Sequence, residues 1–108
     1  MKPITLTMLQ VVRIAIMLDG SQGQRKDLRV LQDIRKRLDI NDEELALLVK
    51  PIQGGFAISN EVQSMQPREI QLAPEEIRRL IEVLDAQTFT VRDMAWVDPM
   101  VAGLTSLA

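Results

Sequence analysis

The apolar positions of residues 5–18 predict the first helix of the chain. Leucine, methionine, valine and isoleucine fill most of this stretch, and Gln10 and Arg13 form a narrow polar stripe three residues apart. Its β-branched residues are compatible with a strand, but its length favours a helix that ends at Gly20. Most of the circumference of this helix is apolar, so other elements must pack against it on several sides. These elements can belong to its own domain or to a second copy of the chain.

Two further helices are predicted before residue 50. Asp27 can cap a helix that runs to Leu38 and carries its leucines and isoleucine along one stripe. Asn41 is the expected N-cap of the third helix, and Glu44 completes a capping box with it. Pro51 requires this third helix to end before it.

A turn at Gly54-Gly55 opens a mixed pattern. Alternating apolar residues predict short strands near residues 55–59 and 68–72. They can pair as an antiparallel hairpin, although the loop between them is too long to fix the register. Pro74 and the two acids after it start a helix whose apolar residues keep helical spacing over residues 74–86.

The last segment, residues 93–108, is largely apolar and carries the single tryptophan of the chain. Just before it, Phe89 and Val91 are compatible with one more strand. Asp98-Pro99 is compatible with the start of a short helix that reaches Leu104. Because disordered termini are usually polar, this segment is expected to dock, either on its own domain or on a neighbouring chain.

Together these elements predict an α+β fold in a single domain over residues 1–108. We expect about four helices, a small antiparallel element of two or three strands and a docked C-terminal segment. Residues 1–50 are helical and lean basic, residues 51–92 hold the strand pair and an amphipathic helix, and residues 93–108 form the apolar C-terminal segment.

The composition is typical of a globular domain and removes several kinds of chemistry. Hydrophobic residues make up 46% and charged residues 26%, with a net charge of −2. The chain has no cysteine and no histidine, so common zinc, haem and iron–sulfur sites lack their ligands and Ser-His-Asp catalysis lacks its base. We therefore predict no enzyme, no cofactor and no metal site. An active site made of carboxylates alone remains the open alternative.

The N-terminal pattern differs from that of a secretory signal peptide. Lys2 alone precedes the apolar stretch, and Gln10 and Arg13 interrupt it. No apolar run reaches the roughly 18 residues that a membrane span requires. The absence of cysteine fits a reducing compartment. We expect a cytoplasmic protein that makes no membrane contact.

Charge is divided unevenly along the chain. Residues 1–40 carry eight basic and four acidic side chains, whereas residues 41–108 carry five basic and eleven acidic ones. The two parts can neutralise each other within the fold or pair head-to-tail with a second copy. They can also present the basic part to an acidic partner.

The basic part raises nucleic-acid binding as an alternative function. The second and third predicted helices have the spacing of a helix-turn-helix. The third helix begins with three acids, which is the wrong charge for the major groove, so sequence-specific readout is not favoured. The second helix can instead contact phosphates without reading sequence, through Arg25, Lys26, Arg29 and Lys36.

The leading hypothesis is a non-catalytic, self-associating adaptor or assembly module. It rests on the apolar first helix, the apolar C-terminal segment, six methionines and the uneven charge. The expected apolar contacts come from these two segments: Met8, Val12, Ile16, Trp96, Met100 and Leu104. The strand-then-helix cassette of residues 68–84 is a common style in small bacterial and phage proteins and suggests such a source.

Overall fold

Five helices and four strands form the fold of residues 1–107, which are the residues that the computed structural model describes. The helices are α1 (Met8–Asp19), α2 (Arg25–Arg37), α3 (Asp42–Leu48), α4 (Pro74–Ala86) and α5 (Met94–Leu107). The strands are β1 (Lys2–Leu6), β2 (Val49–Ile52), β3 (Gly55–Ile58) and β4 (Arg68–Leu72). Short 3₁₀ helices cover Asn60–Ser64 and Val91–Asp93. The predicted α+β class is confirmed.

The strands form two separate antiparallel pairs. β1 pairs with β4, from Lys2 opposite Leu72 to Leu6 opposite Arg68, and β2 pairs with β3. The expected hairpin between residues 55–59 and 68–72 is therefore wrong, although both segments are strands. Each segment pairs instead with a strand that was not predicted, and a 3₁₀ helix lies in the loop between the two segments.

Helix α1 begins later than predicted because its first residues belong to β1. Thr7 is the N-cap, and its hydroxyl accepts from the backbone N–H of Gln10 while the Gln10 side chain accepts from the Thr7 N–H. This capping box separates strand from helix within one apolar run. The side chains of α1 that are buried face the core from several directions: Met8, Val11, Val12, Ile14, Ala15 and Leu18.

Arginines fasten the connection between α2 and α3. Asp39 follows α2 in the left-handed conformation, with φ of 54°, and its carbonyl oxygen accepts from Arg68 of β4. Arg68 also donates to both oxygens of Glu44, at 2.9 and 3.2 Å. Asn41 caps α3 as predicted, but the Glu44 carboxylate binds Arg68 rather than returning to the cap. Asp27 lies in the first turn of α2 and does not cap it.

A second arginine joins α2 to α4. Arg37 Nε donates to the two Glu76 oxygens at 3.0 and 3.2 Å. One of these oxygens also accepts from the backbone N–H of Ala73 at 2.7 Å, at the start of α4. Glu76 is 5% exposed, so its charge is held by these partners rather than by water.

The apolar C-terminal segment docks on its own chain. Its helix α5 is longer than the expected segment from Pro99 to Leu104, because the 3₁₀ turn at residues 91–93 leads directly into it. Residues 89 and 91 form no strand. α5 packs on α4, and Lys2 of β1 donates to the carbonyl of Leu107 at its far end.

No helix within residues 1–107 is long and apolar enough to cross a bilayer. One hydrophobic cluster forms the core. Its buried side chains come from all five helices, from β1 and β4 and from the 3₁₀ helix at residues 60–64. The hairpin of β2 and β3 contributes no fully buried residue to this cluster. The hairpin therefore lies at the margin of the fold, with most of its surface exposed.

The carboxylate of Glu76 is expected to stabilise the start of α4. Glu76→Ala leaves the Ala73 N–H and the Arg37 guanidinium without their acceptor, so we expect the free energy of unfolding to fall by about 2 kcal/mol. Glu75→Ala, in the same helical turn but exposed, is the matched control and should change it by less than about 0.5 kcal/mol. Urea denaturation of the two variants checks this; equal losses would contradict it.

Candidate protein-interaction surface

The β2–β3 hairpin is closed by a two-residue loop. Ile52 pairs with Gly55, so Gln53 and Gly54 make the turn between them. Gly54 has φ of 85°, in the left-handed region that glycine occupies without strain. The turn therefore depends on glycine at this position, and the sequence marks it with the Gly54-Gly55 pair.

The register of the hairpin divides its side chains into two faces. Val49 and Pro51 lie opposite Ile58 and Phe56, so these four apolar side chains share one face. Val49 and Ile58 are partly buried at the base of the hairpin, whereas Phe56 is 56% exposed farther out. The other face carries Ile52, which is also 56% exposed. Both faces thus present apolar surface to solvent.

An apolar groove of about 410 Å³ lies between the hairpin, α3 and the end of α1. Side chains from all three elements line it: Ile16, Leu45, Ala46, Val49, Pro51 and Phe56, together with Asp19, Gly20 and Asp42. On the neighbouring part of α3, Leu47 is 78% exposed. Leu47 and Ile52 lie outside the groove, on the side of the hairpin that carries Lys50 and Ala57. We call the groove and the exposed apolar residues on both sides the hairpin surface.

Two acids of the groove are oriented by one arginine. Arg35 of α2 donates through Nε to Asp19 at 3.0 Å, and its Nη2 lies 3.7 Å from an oxygen of Asp42. Its Nη1 donates to the carbonyl of Ile40 at 2.8 Å. The same side chain therefore fixes the end of α1 relative to the start of α3, and so fixes two walls of the groove.

The six residues expected to form a protein interface do not lie on one surface. Met8, Val12, Met100 and Leu104 lie in the core of the protomer, where the other elements of the fold cover them. Ile16 is partly exposed and lines the groove. Trp96 is partly exposed, is packed against the core of its own chain and does not line the groove.

Trp96 is held by contacts within the protomer. Its ring meets that of Phe89 edge to face, with centroids 5.7 Å apart and an interplanar angle of 87°. The Arg13 guanidinium carbon lies 5.0 Å from the Trp96 ring centroid, so α1 contributes a cation–π contact. The tryptophan thus ties α5 to α1.

The four basic residues expected to contact phosphates are all exposed. Arg25, Lys26, Arg29 and Lys36 form no ion pair within residues 1–107. Arg25 and Arg29 line a cleft of about 650 Å³ between α2 and the end of α1. Arg35 and Arg37 of the same helix, in contrast, pair with acids of other elements, Asp19 and Glu76.

Sequence reasoning missed most of the hairpin surface. Residues 49–52 were not expected to form a strand, and Pro51 was used only to place the end of the third helix. Pro51 is tolerated because its nitrogen faces away from β3. The signal that could have identified the hairpin is the pair of short apolar segments on either side of Gln53-Gly54.

No group of acidic side chains within the described residues is placed to hold a metal ion. A scan against protein-family models and searches of curated proteins and of solved structures find no match for the chain.

The Asp93 carboxyl, close to Trp96 along the chain, is expected to make the stability of the fold depend on pH in the acid range. Asp93 accepts from the Thr90 N–H at 3.0 Å, and this bond, followed by the Thr90 hydroxyl, lowers the pKa of the Asp93 carboxyl. Because the pKa is lowered in the folded state, the ionised group stabilises the fold above its unfolded value of about 3.9. That contribution is lost as the pH falls through the lower folded value.

We therefore expect Asp93→Asn to show a weaker decline in stability than the wild-type chain below about pH 4. Thermal melts of both proteins over this acid range measure the difference. Parallel pH profiles for the two proteins would contradict the assigned role of Asp93.

Proposed function

We propose that this chain is a non-catalytic protein-interaction module that self-associates and acts as an adaptor or assembly unit. The observation that carries the proposal is the exposed apolar surface of the hairpin. Phe56 borders the apolar groove and is largely exposed, and Ile52 is exposed to the same extent on the other face of the hairpin. Assignment to the cytoplasm rests on the absence of cysteine, and a bacterial or phage source rests on the cassette of residues 68–84.

The hairpin has few stabilising contacts within the protomer, which supports a role in association. Of its eight paired residues, only Val49 and Ile58 are partly buried, and the rest are exposed. Isolated two-stranded hairpins are marginally stable in water. A partner that covers Phe56 would supply the apolar contacts that the rest of the chain does not make.

The groove also has the chemistry of a protein contact rather than of a catalytic pocket. Its walls are aliphatic and aromatic side chains with no nucleophile, and its two acids are engaged by Arg35. Contiguous apolar surface of this kind marks sites of association on soluble domains. The groove and the hairpin can therefore be buried together by one partner.

Phe56 is expected to be required for self-association. Wild-type protein should show an average mass that rises toward that of a dimer with increasing concentration in sedimentation equilibrium. Phe56→Asp should remain monomeric, because it places a charge on the apolar face without removing a core side chain. Val91→Asp is the matched control, since Val91 is 92% exposed and lies away from the groove, and should associate like the wild type.

A wild-type mass that stays monomeric at every concentration would overturn the proposed self-association. Association of Phe56→Asp equal to that of the wild type would show that the hairpin surface is not the contact. Circular dichroism of each variant verifies that the helices are intact.

Non-specific phosphate binding is a second candidate function, supported by the arrangement of cations on α2. Arg25, Arg29 and Lys36 fall along one exposed line of the helix, because their spacings of four and seven residues return to nearly the same face. Lys26 lies to one side of this line. None of the four is engaged in an ion pair within the described chain, in contrast to Arg35 and Arg37.

If these cations contact phosphates, a labelled DNA duplex should bind at low salt, and its affinity should fall roughly a hundredfold between about 50 and 200 mM salt. Reversal of all four charges should abolish binding, whereas reversal of Lys50 and Arg92, exposed cations elsewhere, should have little effect. Fluorescence anisotropy measures both. Salt-independent binding, or none by the wild type, would exclude this function.

A further inference from the structure

Backbone N–H and C=O groups on the outer edge of β3 have no hydrogen-bond partner within residues 1–107. The backbone N–H of Ser59 donates to the carbonyl of Leu48 at 2.7 Å, which continues the ladder between β3 and β2. The backbone N–H and C=O groups of alternate residues in an antiparallel strand point to the same neighbouring strand. The backbone groups of Ala57 therefore also point toward β2, whereas those of Phe56 and Ile58 point away from β2, to the open edge. No further strand joins this sheet in the described chain.

The outer edge of β2 is closed by Pro51. Pro51 lies opposite Phe56, at a position where the backbone nitrogen faces away from the partner strand. Because proline has no N–H, the hairpin loses no hydrogen bond there, whereas a strand docking on β2 would lack a donor. The hairpin therefore has one closed edge and one open edge.

We propose that two copies of the chain pair antiparallel through β3, about a two-fold axis at Ala57. This inference rests on the proposed self-association and identifies its surface and register. In this register, Phe56 of each copy faces Ile58 of the other, and the two Ala57 residues face each other. Both outward-facing residues of each strand then form hydrogen-bonded pairs across the interface.

Several features of the edge fit a second copy of the same chain. Residues 55–58 carry no charge, so identical strands do not repel each other. Phe56 opposite Ile58 is an aromatic and β-branched pair, which stabilises antiparallel strands. Ala57 is small, so its side chain does not obstruct the close approach of the two strands at the pair without hydrogen bonds.

The closed edge also explains why association would stop at two copies. Pairing through β3 gives a four-stranded sheet in the order β2, β3, β3, β2, with Pro51 on each outer edge. A third chain meets a strand that lacks a central donor, so the sheet does not extend into a filament. A partner strand from another protein could use the same open edge, and the test below separates that case.

The absence of native cysteine allows a direct test of the register by cross-linking. Opposed residues without hydrogen bonds have Cα atoms about 4.5 Å apart, within the range of about 4.4–6.8 Å that disulfides span. Ala57→Cys should therefore double in mass on a non-reducing gel after mild oxidation, and reductant should reverse this change. Ala57 is exposed, so the substitution should leave the fold intact.

Lys50→Cys is the matched control. Lys50 lies directly opposite Ala57 on β2 and on the same face, but three strand spacings, or about 14 Å, separate the two copies of this position. It should stay at monomer mass. A wild-type dimer in sedimentation with no preference for the Ala57→Cys cross-link would overturn the register and leave self-association standing. A monomeric wild type would overturn both the self-association and the β3 register. The open edge of β3 would then be a site for a strand from a different protein.

Hydrogen exchange on the unmodified chain gives a second measurement that does not depend on the cysteine variants. The amide protons of Phe56 and Ile58 should exchange more slowly as the protein concentration rises, because their carbonyl partners lie in the second copy. Exchange of these two amides at a rate independent of concentration, in a sample that dimerises, would overturn the proposal.

Discussion

The burial of α1 is the constraint on which the rest of the structure depends. Its residues Val11, Val12, Ile14 and Ala15 are fully inaccessible, and they point in too many directions for one neighbour to cover. β1, α2 and the 3₁₀ helix at residues 60–64 therefore all contact α1. Each large apolar side chain so buried stabilises the fold by about 1.5–3 kcal/mol. In a chain of this length, few elements remain to cover the hairpin.

Three arginines connect the elements of the fold through ion pairs. The cations of the protein therefore form two groups, those that pair with acids of other elements and those that do not. Arg35, Arg37 and Arg68 each bond a carboxylate from another element, and two of them also bond backbone carbonyls of the α2–α3 connection. These side chains are committed to the fold. Arg25, Lys26, Arg29 and Lys36 of α2 lie outside this network, so unpaired positive charge of the basic part remains on that side of α2.

Local signals predicted those parts of the fold that local interactions determine. Asn41 caps α3, and Pro74 starts α4, because both depend on neighbouring residues. β1 was missed because Leu6 continues the apolar run of α1 and the strand pairs with distant residues. Tertiary packing also decides which apolar side chains are exposed, which is why Met8 and Met100 are in the core and Ile16 reaches the groove. The class of the fold was predictable, but the candidate surface largely was not.

The pairing of β1 with β4 has a consequence for how the chain reaches this structure. Residues 2–6 pair with residues 68–72, so the whole of residues 7–67 lies in the loop that this pairing closes. Closing so long a loop costs entropy that local helix formation avoids. The β1–β4 pairing therefore carries a loop-closure cost that α1 and α4, whose hydrogen bonds are local, do not.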